Sequence, residues 1–269
     1  MAGVTANAVA LVALLCMLVR STSSYGTPAP APPSTSVWRA AKATWYGRPS
    51  GAGPDNNGGA CNYKNNHLAP FFSMTSCGNQ LIFKDGAGCG ACYQIRCNKT
   101  SHPECSNQAK TIVITDVNYG PVAKYYFDLS GTAFGSMALP GRSAQLRRAG
   151  MIHMQFRRVP CNWPGMKITF YILKGANPYY LPVMAENVNR DGTVVKMSIM
   201  RSKDGRPTNI WEPMYRSFGA VWRRDSGNPM KGPLSLRITS DSGKTLVANN
   251  VFPAGWKGGV GYTSKVQFY

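Results

Sequence analysis

Hydrophobic patterning divides the chain into two textures. In the first half, short apolar stretches alternate with glycine and turn residues, and 42–46, 92–97, 111–117, 125–129 and 151–159 read as strands. The stretch 111–117 (TIVITDV) is β-branched and mostly apolar, as expected of a strand buried in a barrel. Ser130 is placed to cap a short helix over 131–138, and 55–59 (DNNGG) and 84–88 (KDGAG) are loops. In the second half alternation is more regular. Strands are predicted at 167–173, 193–200, 234–240, 245–252 and 265–269, with turns at Asp191-Gly192, Asp204-Gly205 and Ser242-Gly243. Short strands between glycine turns predict a β-sandwich. The change of texture falls at 161–166 (CNWPGM), which gives a first unit over 38–165 and a second over 166–269.

Ahead of both units, 8–19 (AVALVALLCMLV) is an apolar run of signal-peptide length, followed by small residues suited to cleavage. Residues 1–24 therefore read as a signal peptide and 25–37 as a Pro-rich leader, which predicts a secreted, extracellular protein with no integral membrane span.

Charge adds a further constraint. The formal net charge is +19, although charged residues make up only 15% of the chain, because acids are scarce in both halves. Such a field attracts polyanions. In an exported protein acidic polysaccharide becomes the relevant class, and nucleic acid is not expected. Of the eight cysteines, Cys16 lies in the leader and the other seven lie in the first half. Export implies disulfides, an odd count leaves one thiol over, and the connectivity stays open at this level. Cys89-Gly-Ala-Cys92 also fits a zinc knuckle, but no second CxxC or His pair accompanies it, so no metal or other cofactor is expected.

Candidate chemistry is sparse. Asp55, Asp85, Glu104, Asp116 and Asp128 are the acids of the first unit. Asp116 ends an apolar strand and Asp128 interrupts another. A carboxyl there is either raised in pKa, as a general acid requires, or satisfied by backbone N–H groups in a structural role. Trp45 and Tyr46 point to opposite faces of a strand. Tyr179, Tyr180, Trp211 and Phe218 either stack on sugar rings or fill core, and Trp222 is assigned to the core. Asn98-Lys-Thr100 matches the N-glycosylation sequon.

Several motifs occur together in order: Thr44-Trp-Tyr-Gly47, Gly51-Ala-Gly-Pro-Asp-Asn56, Gly58-Gly-Ala-Cys61, Cys89-Gly-Ala-Cys92, Ile114-Thr-Asp-Val-Asn-Tyr119 and Tyr126-Phe-Asp-Leu-Ser-Gly131. They are followed by Asn177-Pro-Tyr-Tyr180, Ser217-Phe-Gly-Ala-Val-Trp-Arg223 and the ending Tyr262-Thr-Ser-Lys-Val-Gln-Phe-Tyr269. In these the chain resembles the β-expansins, which include the grass pollen group-1 allergens. The resemblance implies an all-β-dominated protein. An N-terminal six-stranded double-psi β-barrel, similar to family-45 glycosidases and barwin, would precede an immunoglobulin-like β-sandwich that binds glycan. It implies a groove of Thr44, Trp45, Tyr46, Asp55, Asp116 and Asp128, and a sugar-stacking strip of Trp45, Tyr180 and Phe218. It also implies bridges Cys61–Cys89, Cys92–Cys161 and Cys97–Cys105, with Cys77 left over.

The family's groove histidine is Tyr126 here, its usual stacking tryptophan is Phe218, and Ala149 and Ala176 stand where some relatives carry cysteines. In the related glycosidases Asp128 would match the catalytic acid, while counting to their base reaches Arg48, which cannot accept a proton from water. The resulting expectation is a monomeric, non-hydrolytic wall-loosening protein. It would have no catalytic residue beyond a vestigial acid at Asp128, and it would bind cellulose and matrix glycans: glucuronoarabinoxylan, mixed-linkage glucan or xyloglucan. The alternatives are a weak endoglucanase, a barwin-like defence protein that binds chitin or nucleic acid, and a thiol protease built on Cys77.

Overall fold

The structure is a computed structural model that describes residues 37–52, 59–120, 122–204 and 206–269. The signal peptide, most of the leader and Asp55 lie outside the described residues. Six strands form a closed barrel: β1 (Arg39–Tyr46), β2 (Thr75–Gly78), β3 (Cys92–Arg96), β4 (Lys110–Val117), β5 (Tyr126–Ser130) and β6 (Ile152–Arg158). Their order is β1-β5-β2-β4-β3-β6, in which β1 pairs parallel to β5 and β2 parallel to β4. Alternation along the strands sends Ala41, Ala43, Phe127, Leu129, Ile112 and Ile114 into the barrel core. Ser130 caps the helix Gly131–Gly135 by accepting the Ala133 N–H at 3.0 Å.

Nine further strands follow: β7 (Thr169–Ile172), β8 (Tyr180–Glu186), β9 (Val194–Lys203), β10 (Arg206–Pro213), β11 (Tyr215–Phe218), β12 (Val221–Asp225), β13 (Leu234–Ser240), β14 (Thr245–Phe252) and β15 (Val260–Thr263). They form a four-stranded sheet, β10-β9-β13-β14, and a five-stranded sheet, β11-β12-β8-β7-β15. Between the sheets lies a second core that contains Phe170, Ile172, Leu181, Val183, Ile199, Leu236 and Phe252. All-β architecture with barrel before sandwich is thus observed.

The predicted strand at 265–269 is absent. Gln267 replaces the ladder there: its buried side chain donates to the carbonyls of Met166 and Asn187 and accepts the N–H groups of Asn189 and Phe268. β2, β8, β10, β11, β12, β15 and the short helices Gln80–Phe83 and Ser143–Arg148 were not anticipated.

Three disulfides, Cys61–Cys89, Cys92–Cys161 and Cys97–Cys105, brace the barrel, and Cys77 is a buried free thiol. Both cysteines of the CxxC motif are thereby used in bridges and are not available to a zinc ion. Asn98 sits on the turn closed by Cys97–Cys105, where its side-chain oxygen accepts the Ser101 N–H at 3.2 Å.

The two units meet along a seam of close backbone contact. Gly219 adopts φ +46°, and a Cβ there would lie 1.9 Å from the Ala60 carbonyl oxygen. Arg216 lies over the Trp222 ring, 4.5 Å from its centroid, and donates to the carbonyls of Gly86, Gly219 and Val194 at 3.1, 2.6 and 2.7 Å. Met184 and Ala220, both from the second unit, complete the barrel's own core. Among the described residues no helix is long and apolar enough to cross a membrane.

Candidate functional site: a carboxylate row and an aromatic face

The same alternation that buries Phe127 and Leu129 turns Tyr126 and Asp128 to the other side of β5. Register aligns Asp128 with Thr44 on β1 and with Cys77 on β2, and Cys77 in turn with Asp116 on β4. Thr44, Asp128, Cys77 and Asp116 therefore form one row across four strands, with Tyr46 and Tyr126 beside it. The two carboxylates are separated by one intervening strand, which sets their backbones roughly 10 Å apart.

Within the row the carboxylates differ. Asp128 accepts a short hydrogen bond from the Thr44 hydroxyl and a longer one from Asn118 Nδ2 at 3.3 Å. Thr44 has a single proton, so when it donates to Asp128 its 2.5 Å contact with Tyr126 must be donated by the phenol. The result is a directed chain, Tyr126 to Thr44 to Asp128. Burial raises the Asp128 pKa, the Thr44 hydrogen bond opposes that shift, and nearby Asp116 adds to it. Burial likewise raises the Tyr126 phenol.

Asp116 is anchored to backbone: its Oδ1 accepts the N–H of Ala60 at 2.7 Å and of Val117 at 2.8 Å. The loop before Cys61 lies against this carboxylate so closely that a Cβ on Gly59 would overlap it. Asp116 thus takes the structural role anticipated as one of the two readings, while Asp128 belongs to a side-chain network. The Cys77 thiol between them is pushed up, chiefly by burial and then by both aspartates. A thiol held protonated is a poor nucleophile, which disfavours a protease built on it.

Trp45 stands apart from this row. It lies on the opposite side of β1, half-buried, with its indole N–H donating to the Arg147 carbonyl at 2.9 Å. Trp222 is buried, as assigned from sequence. In the five-stranded sheet, Tyr180, Pro182 and Met184 share the face turned away from the sandwich core, and register carries that face through Arg223 to Tyr215 and through Val221 to Phe218. The barrel covers its Met184 and Val221 end. Phe218 and Tyr215 remain 49% and 60% exposed, so on the uncovered part Tyr215 joins the Tyr180 and Phe218 that the resemblance implied. Tyr215 and Asn118 were missed. Tyr215 sits in MYRSF without a repeat to mark it, and Asn118 acts only through a fold contact across to Asp128.

Fold and site together define a two-module protein, a double-psi barrel with a surface carboxylate row joined to a β-sandwich with an exposed aromatic face. Comparison with known proteins narrows this. The expansin C-terminal domain profile matches residues 168–253, and a double-psi barrel profile described as lytic transglycolase matches residues 75–156. The chain is 54% identical to expansin-B2 of Oryza sativa subsp. japonica over 269 residues, covering all of both chains. It is 46% identical to expansin-B1 of Zea mays, covering 99% of this chain and 100% of the relative. Among solved structures, apo expansin of Clavibacter michiganensis superposes with TM-score 0.66 at 18% identity, over 87% of this chain and 98% of that one. A mutant of that protein solved in complex with cellohexaose gives TM-score 0.65 at 18% identity, with the same coverage. The chain belongs to the expansin-B family.

Proposed function

We propose that this protein is a secreted wall-loosening factor that binds cellulose and matrix glycans and separates them without hydrolysis. In this reading residues 1–24 are the signal peptide, 25–37 the leader, 38–165 the barrel unit and 166–269 the glycan-binding unit. The observation that carries it is the commitment of the Asp116 carboxylate to two backbone N–H groups. Inverting hydrolysis needs one carboxyl as acid and a second as base for water. Asp128, raised by burial, fits the acid. Asp116 is anchored, its Oδ1 accepting from two backbone N–H groups, and Arg48 occupies the position at which the resemblance would put a base. In this reading the groove binds, with Thr44, Tyr46, Asn118 and Asp128 presenting polar groups to a glycan and Tyr180, Tyr215 and Phe218 offering flat faces to its C–H surfaces. The cellohexaose complex of the bacterial expansin supports a glycan ligand. Inter-chain hydrogen bonds in water are worth only about 1 kcal/mol net each, so a protein that prefers the separated chain shifts the equilibrium by binding alone.

The test is extension of a heat-inactivated grass cell-wall strip under constant load, with reducing sugar measured in the same bath. Rapid creep without sugar release is expected. Sugar release in proportion to creep, abolished by Asp128→Asn, would replace this reading with a weak endoglucanase.

A further inference from the structure

A second concavity lies on the sandwich, away from the barrel. It is a pocket of about 600 Å3 in the size range of small-ligand sites, lined by Asn177, Pro178, Met230, Lys231, Trp256 and Lys257 among others. Trp256 forms a buried floor, with its indole N–H turned away to the Met230 carbonyl at 2.7 Å, so the ring contributes an apolar surface. Gly258 keeps part of the wall free of side chains, and a Cβ there would meet the Leu173 carbonyl oxygen at 2.9 Å.

Charge at the pocket has one sign. Lys231 and Lys257 are exposed at its lining, and Lys174 lies beside it against Gly259. Among the described residues no carboxylate lines the pocket. Among the described residues none of these three ammonium groups makes a hydrogen bond or ion pair, whereas Glu212 and Asp225 nearby in sequence are paired with Arg201, Arg224 and Arg223. An apolar floor beneath unpaired cations matches a ligand with an apolar ring face and a carboxylate.

The pocket also adjoins the aromatic face. Asn177 and Tyr180 exchange backbone hydrogen bonds at 2.9 and 3.0 Å, so one tight turn has Asn177 and Pro178 at the pocket and Tyr180 at the sheet face. We propose that this pocket takes the uronosyl side group of an acidic glycan whose neutral main chain lies on the Tyr180 face. The inference rests on the glycan-binding reading above. It assigns selection for acidic over neutral chains to Lys231 and Lys257, and not to net charge spread over the molecule.

Calorimetry on the full secreted protein at low salt tests it with two probes: a xylo-oligosaccharide carrying one glucuronosyl branch, and the same oligosaccharide without it. The branched probe is expected to bind roughly five- to tenfold more tightly. Lys231→Gln/Lys257→Gln should erase that ratio and leave binding of the neutral probe unchanged. Lys196→Gln/Lys203→Gln, which removes the same charge from exposed positions on β9, should preserve it. Tyr180→Ala should weaken both probes equally and keep the ratio. Equal binding of the two probes by the unaltered protein, or equal loss in both lysine variants, overturns the pocket while the glycan-binding reading stands. Binding of neither probe overturns both. Matching thermal unfolding of the variants excludes misfolding as the cause of any loss.

Discussion

Thr44 has one proton and two oxygen neighbours. It donates to Asp128 and accepts from Tyr126, so two buried or half-buried polar groups depend on one hydroxyl. Thr44→Val keeps the shape and leaves both neighbours short of a partner. Stability should fall by about 1–3 kcal/mol, read as a lower thermal midpoint, and Thr44→Ser should recover most of it. An unchanged midpoint for Thr44→Val would show that water satisfies Asp128 and Tyr126 instead. Tyr126 also changes the proton chemistry of the site. The family's histidine would titrate near neutrality, whereas this phenol, raised further by burial, stays protonated throughout the physiological range.

At the scale of single elements, strand alternation accounts for both what the sequence revealed and what it concealed. The apolar run of β4 and the Asp128 interruption of β5 were legible because a barrel strand's two faces differ so sharply in burial. β2 was not. Its four residues, TSCG, are all buried but include two hydroxyls and a glycine, so no hydrophobic period marks them. The segment at 265–269 misled in the opposite direction, since its alternation suits a strand while a glutamine side chain supplies its hydrogen bonds. The carboxylate row was half legible. The residues were nameable, but their alignment through Cys77 depends on a parallel pairing of distant strands that no local pattern contains. Tyr215 belongs to this scale too, because register alone puts it on the open face beside Arg223. Tyr215→Ala should weaken binding of a soluble cello-oligosaccharide several-fold, about 1 kcal/mol, without lowering the thermal midpoint. Binding equal to the unaltered protein would remove Tyr215 from the glycan surface.

Across the whole molecule, the seam couples the two units to pH. Glu186 shares a sheet face with Met184 and lies close enough to Tyr63 of the barrel to add to the rise that burial imposes on its phenol. Desolvation pushes the Glu186 carboxyl up from 4.5 to about 7. A carboxyl raised on folding contributes its full stability below the unfolded value and loses it as pH rises through the folded one. The thermal midpoint should therefore decline between pH 4.5 and 7, by at most about 3 kcal/mol of stability. Glu186→Gln should flatten that decline. A slope that persists in the variant would place the titration elsewhere.

The shared core has a practical consequence for anyone wishing to use the glycan-binding half as a detachable probe. Met184 and Val221 are fully buried, and Met184 and Ala220 help to fill the barrel. Cut free, the sandwich would present these side chains, with the Gly219 turn, as a bare apolar patch next to its own aromatic face. Such a fragment would adhere to itself or to unrelated surfaces. A useful reagent would need polar replacements at Met184, Ala220 and Val221 before its adhesion to a wall could be read as recognition of sugar.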